Sequence, residues 1–218
     1  KLQRIAEKAL REPEFKFTSL FHLMNEELLR GCFEGLRKDA ASGIDRVTKE
    51  EYGRNLATNL QGLVSRLHEM SYRPQPVCRV YIPKPGSSKQ RPLGIPALED
   101  KVVQAGLVRI LKAVYEADFI ADSYGFRPGR GCHDALRALR VTGESGRVHY
   151  IVEADIRGFF DNVEHEWLMK FLGHRIGDKR VLRYVQRVLK AGVFELGESA
   201  ATEQGTPQGG VISPLLAN

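Results

Sequence analysis

The protein has 218 residues, with 33 Lys and Arg against 27 Asp and Glu, and a formal net charge of +6. Hydrophobic residues make up 42% and charged residues 28% of the chain, which is typical of a globular protein and excludes wholesale disorder. No stretch approaches the roughly 18 consecutive apolar residues of a membrane span, and segment 1–15 lacks the apolar core of a secretory signal. We therefore predict a cytoplasmic protein with no membrane partner. Its cysteines are few and far apart, which suits free thiols in a reducing compartment.

The first third of the sequence has the apolar periodicity of helices. Apolar residues recur at three- and four-residue spacing over 2–10, 20–36 and 52–70. Thr48 followed three residues later by Glu51 predicts a capping box at the start of the third stretch. We predict that these stripes form the core.

Residues 72–96 change character and predict a hairpin. An apolar-alternating run at 77–82 is followed by a Gly-Ser turn at 86–88 and a second short extended segment. No acidic residue lies between Glu69 and Glu99, so this basic hairpin is positively charged throughout. Such a hairpin suits a phosphate chain or a nucleic-acid backbone, and it equally suits a charged sheet edge that prevents aggregation.

The rest of the chain alternates predicted helices and strands, which indicates an α/β or α+β architecture. The elements in order are a helix over 97–119, a glycine-rich basic loop at 124–131, a helix at 133–141, a strand at 149–156, helices at 163–173 and 178–191, and a strand at 193–196. Within the last helix, Arg180, Arg183 and Arg187 share one side. They form either a wall that contacts RNA phosphates or a solvated helix surface.

Two segments carry candidate chemistry. Asp155 ends the predicted strand, and its carboxylate needs water, an arginine or a hard cation such as Mg²⁺ as partner. A helix cap or a salt bridge is the alternative for such an acid, but the rings of Phe159 and Phe160 form a wall beside it. The glycine-rich turn at 205–210 offers backbone N–H groups for phosphate or sugar oxygens, unless its glycines serve only the backbone conformation.

Five segments in order resemble the fingers and palm of a reverse transcriptase of the group II intron-encoded type. They are SGIDRVT at 42–48, YIPKPGSSKQRPLGIP at 81–96, DSYGFRPGRGCHDAL at 122–136, VEADIRGFFDNVEHEWL at 152–168 and QGTPQGGVISPLLAN at 204–218. The resemblance covers nearly the whole chain from Ser42 onward. It implies an α+β fold with a helix-rich N-terminal extension, a small antiparallel sheet, a fingers domain at 1–145 and a partial palm at 146–218.

The resemblance also implies site residues. Asp155 is similar to the first catalytic aspartate of the palm, which binds two Mg²⁺ ions with the backbone carbonyl of Ile156. Phe160 matches the steric gate that excludes the ribose 2′-hydroxyl. Gln208 matches the palm glutamine beside the nucleotide and template. The residues that correspond to triphosphate-holding side chains of the fingers are Lys84 or Lys89, and Arg91.

The family's second catalytic motif, a Tyr-Ala-Asp-Asp hairpin, is expected downstream of Asn218. We therefore expect this stretch alone to be an incomplete palm that is inactive by itself, since one carboxylate cannot hold both ions. An unfinished sheet also predicts self-association as a homodimer.

The predicted function is RNA-directed DNA synthesis by two-metal nucleotidyl transfer, together with binding of intron RNA and assistance of splicing. The expected partners are template and intron RNA, a DNA primer or target and deoxynucleoside triphosphates. We expect four arginines to contact RNA: Arg73, Arg79, Arg127 and Arg130. Two alternatives stay open, namely a non-catalytic RNA-binding scaffold and a reverse transcriptase of a defence or CRISPR-adaptation system.

Overall fold

The computed structural model describes residues 1–83, 86, 88, 90–146 and 148–218. The helices are α1 (Leu2–Arg11), α2 (Glu26–Glu34), α3 (Lys49–Arg54), α4 (Leu56–His68), α5 (Leu98–Tyr115), α6 (Cys132–Glu144), α7 (His165–Arg175), α8 (Lys179–Leu189) and α9 (Ser213–Leu216). The strands are β1 (Val77–Pro83), β2 (Gln90–Ile95), β3 (Val193–Glu195) and β4 (Glu198–Ala200). None of these helices is long and apolar enough to cross a membrane, as far as the described ranges extend.

Helix α5 is the centre of the core. Side chains along its whole length are buried, among them Val102, Leu107 and Ile110, each with no exposed surface. Helices α1 and α2 pack along α5, α8 contacts it from the other part of the chain, and α7 packs on α8. Buried residues from both sides of position 145 thus belong to one hydrophobic core, and the boundary between the predicted domains stays a prediction.

The predicted hairpin is confirmed. Strands β1 and β2 pair antiparallel, with Arg79 opposite Gly94 and Ile82 opposite Arg91. The sheet as a whole has the order β2-β1-β3-β4, and it is mixed rather than antiparallel because β1 and β3 run parallel. The α+β class, with helices segregated from a small sheet, is confirmed.

The N-terminal helices are present but begin and end differently from the prediction. The capping box of Thr48 and Glu51 starts α3, and Asn55 then separates α3 from α4. The stretch 20–36 is not one helix, because residues 21–23 form a 3₁₀ turn and Asn25 caps α2 by accepting a hydrogen bond from the Leu28 N–H.

Asp178 caps the start of the 3₁₀ turn. Its Oδ2 accepts hydrogen bonds from the backbone N–H groups of Leu20 and Phe21, both at 2.8 Å, and its Oδ1 accepts from the Arg180 N–H at 3.0 Å. Burial raises the pKa of the Asp178 carboxyl, but the three backbone donors together outweigh burial and hold the pKa below its ordinary value. One carboxylate therefore caps α8 and anchors the N-terminal segment to it.

Replacing Asp178 with alanine should lower the free energy of unfolding by about 3 kcal/mol, because buried N–H donors lose a charged acceptor. Asp178→Asn, which keeps one acceptor oxygen, should cost less. Since the folded-state pKa is depressed, the stability advantage of the wild type over Asp178→Asn is present above the unfolded-state pKa and should shrink as the pH falls below about 4. Urea unfolding at several pH values measures both effects.

The matched control is Asp134→Ala, because Asp134 also accepts a backbone hydrogen bond, from the Gly131 N–H at 2.9 Å, but caps α6, which has no buried residue. Asp134→Ala should lower the free energy of unfolding by less than about 1 kcal/mol. An Asp178→Ala variant as stable as Asp134→Ala would show that the anchor is not needed.

Candidate active site

A cleft of about 310 Å³ lies between the basic hairpin, the turn around Phe160 and the loop that leads to α9. Its lining residues are Val77, Arg79, Pro92 and Gly94 from the hairpin, Phe160 and Asp161 from the turn, Val193 of β3, and Thr202, Gln204, Gly205, Thr206, Pro207 and Gln208. Three predicted site residues, Phe160, Gln208 and Arg79, thus line one cavity. We call it the cleft below.

The loop at 204–210 is tied to the Phe160 turn by backbone hydrogen bonds. The Thr206 N–H donates to the Phe160 carbonyl at 2.7 Å, and the Gly205 N–H donates to the Val163 carbonyl at 2.8 Å. Gly205 has φ +81°, and a Cβ added there would lie 2.9 Å from the carbonyl oxygens of Phe160 and Asp161. Only glycine fits this close approach of two backbones.

The same loop is also tied to the hairpin. The Gly94 N–H of β2 donates to the Gln208 carbonyl at 2.6 Å. Gly209 has φ +102°, and a Cβ there would lie 2.8 Å from the Gly94 carbonyl oxygen. The N–H groups of Gly205, Thr206 and Gly210 all donate to protein carbonyls. The loop glycines therefore serve close backbone packing, and these three N–H groups are not available for the phosphate binding that the sequence suggested.

Phe160 is half-buried and stands on a short turn. Gly158 has φ +62°, and the turn is closed by the Asn162 side chain, whose Nδ2 donates to the Gly158 carbonyl at 2.8 Å. The rings of Phe159 and Phe160 meet edge to face with centroids 5.5 Å apart. Helix α7 begins at His165 after Glu164, so Asn162 closes the turn and does not cap the helix.

Asp155 and Ile156 lie outside the cleft, and the strand predicted at 149–156 is wrong. Residues 148–156 carry no regular secondary structure, and Tyr150 and Val152 are 89% and 90% exposed. A strand needs a neighbour for its backbone groups, and the four-stranded sheet does not extend to this segment. The Asp155 carboxylate is exposed and forms no ion pair with an arginine or any other described residue.

No group of three or more His, Cys, Asp or Glu side chains in the described ranges is arranged to hold a metal ion. The metal-ligand roles of Asp155 and Ile156 stay predictions.

The cations of the basic hairpin are distributed over both of its faces. Arg79 lines the cleft and lies 3.7 Å from Glu195 of β3, whose Oε1 also accepts a hydrogen bond from the Tyr81 hydroxyl at 2.5 Å. Arg91 is exposed and alternates with Pro92 and Gly94, so it lies on the face away from these cleft residues. Lys84 and Lys89 lie outside the described residues, and no position is assigned to them.

Glu195 was missed by the sequence interpretation. It is separated from Tyr81 by 114 positions, and only the parallel pairing of β1 with β3 brings the two together. The hydrogen bond with Glu195 raises the pKa of the Tyr81 hydroxyl. The hairpin that carries no acid of its own is therefore partly neutralised by its neighbouring strand.

The arginines expected to contact RNA have different surroundings. Arg127 is buried, forms an ion pair with Glu116 at 2.8 Å and donates to the carbonyls of Ile120 and Ser123, so its position does not favour an RNA contact. Arg130 lies 5.6 Å from the centre of the Tyr124 ring and donates to the Ala121 carbonyl. Its guanidinium therefore contributes to holding the loop at 121–124 in place.

Arg73 is exposed and shares two backbone acceptors with Arg187, one of the three arginines for which the sequence left an RNA-contacting wall and a solvated helix surface open. Both guanidinium groups donate to the carbonyls of Met70 and Tyr72, at 3.0 and 3.3 Å from Arg73 and at 2.9 Å each from Arg187. Burial, followed by the charges of Arg73 and Arg183, lowers the pKa of Arg187. We call Arg73, Arg183 and Arg187 the arginine cluster.

Comparison with known proteins agrees with this architecture. The family described as "Reverse transcriptase (RNA-dependent DNA polymerase)" matches residues 82–218. Protein YkfC of Escherichia coli (strain K12) is 43% identical over 180 residues, which are 81% of this chain and 47% of that protein. The group II intron-encoded protein LtrA of Lactococcus lactis subsp. cremoris is 35% identical over 218 residues, which are 100% of this chain and 36% of that protein.

Among solved structures, a chain of the partial Cas6-RT-Cas1–Cas2 complex has the same fold, with a TM-score of 0.57 and 21% identity. The match covers 92% of this chain and 33% of that one. The chain spans less than half the length of the two curated relatives. Its family match and its similarity to LtrA over all 218 residues place the chain in the reverse transcriptase family, among the group II intron-encoded reverse transcriptases and maturases.

Proposed function

We propose that the protein acts as an RNA-directed DNA polymerase of the group II intron type, which also binds intron RNA and assists splicing. The observation that carries the proposal is the cleft, which Phe160 and Gln208 line together with residues of the basic hairpin. In the reaction, the primer 3′-hydroxyl attacks the α-phosphate of a deoxynucleoside triphosphate, a phosphodiester bond forms and pyrophosphate leaves.

The residues present fit part of a divalent-cation site. Mg²⁺ prefers carboxylate and carbonyl oxygens, and the exposed Asp155 carboxylate is not committed to an internal ion pair with a described residue. Asp155 and the Ile156 carbonyl would hold the ions, with further ligands from elsewhere. When bound, two such ions supply activation of the 3′-hydroxyl and stabilisation of the departing pyrophosphate.

The side chains of this chain bind and select the nucleotide. The ring of Phe160 excludes the 2′-hydroxyl of a ribonucleotide, and Gln208 positions the nucleotide and the template. A planar guanidinium and a point charge suit a triphosphate, which is the predicted role of Arg91 with Lys84 or Lys89. Arg91 lies on the hairpin face away from the cleft, so this contact requires the triphosphate to extend beyond the cleft. The predicted fingers at 1–145 and partial palm at 146–218 are the domains that meet at the cleft.

RNA binding is favoured by the arginine cluster. Three guanidinium groups gather at the end of α4, and no carboxylate among the described residues lies within 4.0 Å of any of them. The carbonyls of Met70 and Tyr72 compensate part of this charge, and Arg183 is left exposed to solvent. Such a cluster suits the phosphates of an RNA backbone.

Two other functions fit less well. A reverse transcriptase of a CRISPR-adaptation system has the same fold, but the similarity to LtrA extends over the whole chain at 35% identity, against 21% for the Cas6-RT-Cas1–Cas2 chain. A non-catalytic RNA-binding scaffold would need the arginines but not Phe160 in the cleft. Substitutions at Asp155 and at the arginine cluster separate the scaffold from the polymerase.

Asp155→Asn in the full-length protein should reduce primer extension on an RNA template at least 1,000-fold, on the order of the loss from removing a catalytic group, because an amide is a poor ligand for divalent cations. Template affinity should stay near that of the wild type. Glu166→Gln is the charge-matched control, since Glu166 is exposed and, among the described residues, forms its ion pair with Lys170. An Asp155→Asn protein that extends primers normally would rule out the metal-ligand role.

Phe160→Ala should admit ribonucleotides by removing the ring that meets the 2′-hydroxyl. We expect the preference for deoxynucleotides, measured as a ratio of kcat/KM values, to fall about 100-fold or more, the scale on which one steric group in a site discriminates between substrates. Phe171→Ala is the control because Phe171 is 61% exposed on α7 and does not line the cleft. An unchanged sugar preference in Phe160→Ala would contradict the gate.

The single substitutions Arg73→Gln and Arg183→Gln should each weaken RNA binding. Each should also reduce the slope of log K against log salt by about 1 for each phosphate that is no longer neutralised. Arg54→Gln serves as the control, because Arg54 is exposed but ion-paired with Glu50 at 3.2 Å. Equal salt slopes for all three variants and the wild type would show that RNA binds elsewhere.

A further inference from the structure

His165, the first residue of α7, makes a buried hydrogen bond in which none of the predicted site residues takes part. It is 7% exposed, and its Nε2 lies 2.6 Å from the carbonyl oxygen of Gly205 in the loop at 204–210. The two residues are 40 positions apart. The contact therefore joins the start of a core helix to the loop that carries Gln208.

The hydrogen bond fixes the tautomer of the ring. A carbonyl oxygen can only accept, so the proton must be on Nε2 of His165. The buried Nδ1 then carries a lone pair, and it has no hydrogen-bond partner among the described residues. Protonating Nδ1 would bury an unpaired donor and a charge. The ring therefore donates in one direction only, to the Gly205 carbonyl.

A histidine that serves only to fill the core does not need this arrangement. An apolar side chain of similar size would avoid the cost of a buried nitrogen without a partner. The imidazole instead keeps one nitrogen unsatisfied by the described residues while the other holds a loop carbonyl. The polar contact that the buried ring makes is the one to the Gly205 carbonyl.

What the contact holds is the frame of the cleft. Gly205 is bonded through its N–H to Val163, and its neighbour Thr206 is bonded to the carbonyl of Phe160. Two positions further on, Gln208 is bonded through its carbonyl to Gly94 of the hairpin. A shift of Gly205 would therefore move Phe160 and Gln208 relative to each other.

We propose that His165 is a positioning residue, whose Nε2–H holds the Gly205 carbonyl and so sets the spacing of Phe160 and Gln208 across the cleft. The expected effect on nucleotide binding and selection rests on the proposed polymerase function, whereas the contact between His165 and Gly205 does not. His165 does not line the cleft and is not a catalytic residue.

The test compares two amides in the full-length protein. Glutamine can place its amide N–H near the position of Nε2, whereas the shorter asparagine resembles Nδ1 and does not reach Gly205. We expect His165→Asn to lower kcat/KM for deoxynucleotides about 10- to 100-fold, chiefly through a higher KM, and to reduce the preference over ribonucleotides. His165→Gln should restore both quantities close to wild-type values.

Leu168→Ala is the structural control, since Leu168 is buried on the same helix but outside the cleft. It should lower the melting temperature without changing the sugar preference. If His165→Gln is as impaired as His165→Asn, or if Leu168→Ala shifts the sugar preference equally, the role of His165 is packing and the proposal is wrong.

Hydrogen–deuterium exchange over residues 204–210 tests the hydrogen bond between His165 and Gly205 independently of catalysis. Exchange should accelerate in His165→Asn and not in His165→Gln, and unchanged exchange in both would overturn the contact. A wild-type protein that extends no primer, with exchange accelerated only in His165→Asn, would overturn the polymerase function and leave the loop contact standing.

Discussion

The close approach of three backbones is the constraint on which the cleft depends. The loop at 204–210 is pressed against the carbonyl groups of the Phe160 turn on one side and against Gly94 on the other. Gly205 and Gly209 both have positive φ and leave no room for a Cβ. Because each of these contacts is made by backbone atoms, the path of the chain determines the spacing of the Phe160 and Gln208 side chains, and the proposed His165 contact acts on that path at the Gly205 carbonyl.

The sequence predicted elements that depend on local signals. The capping box of Thr48 and Glu51 and the antiparallel hairpin of β1 and β2 are both present, because each is specified by residues close together in the chain. The glycines at 205 and 209 were recognised as a turn, but their use for close packing was not. That use depends on carbonyl groups more than 40 positions away, for which a single sequence carries no signal.

Long-range polar contacts account for most of the differences from prediction. Asp178 anchors the start of the stretch 20–36 through two N–H groups that lie 158 and 157 positions away, and the helix expected there is divided where Asn25 caps α2. The strand predicted at 149–156 has the aromatic and β-branched residues typical of a strand, but composition does not supply a pairing partner. Strand formation also needs a neighbour for the backbone, and the described sheet provides none at this segment. Phe160, Gln208 and Arg79, which were predicted from motifs and charge, line one cleft, whereas Asp155, whose predicted place required a partner strand, lies outside it. The roles of all four residues stay predictions.

The positive charge of the protein is divided between internal and external use. Arg127 and Arg175 are buried, and each holds a carboxylate together with loop carbonyls. Substituting either would leave buried acceptors unpaired, so a loss of RNA affinity in such a variant would report a damaged fold. Arg73 and Arg183 are exposed and lie beside Arg187 without a nearby carboxylate in the described ranges. Net charge alone does not distinguish these two groups of arginines, whereas burial and the identity of the hydrogen-bond acceptor do. Of the two groups, it is the exposed one, Arg73 and Arg183, whose charge is available to bind a phosphate.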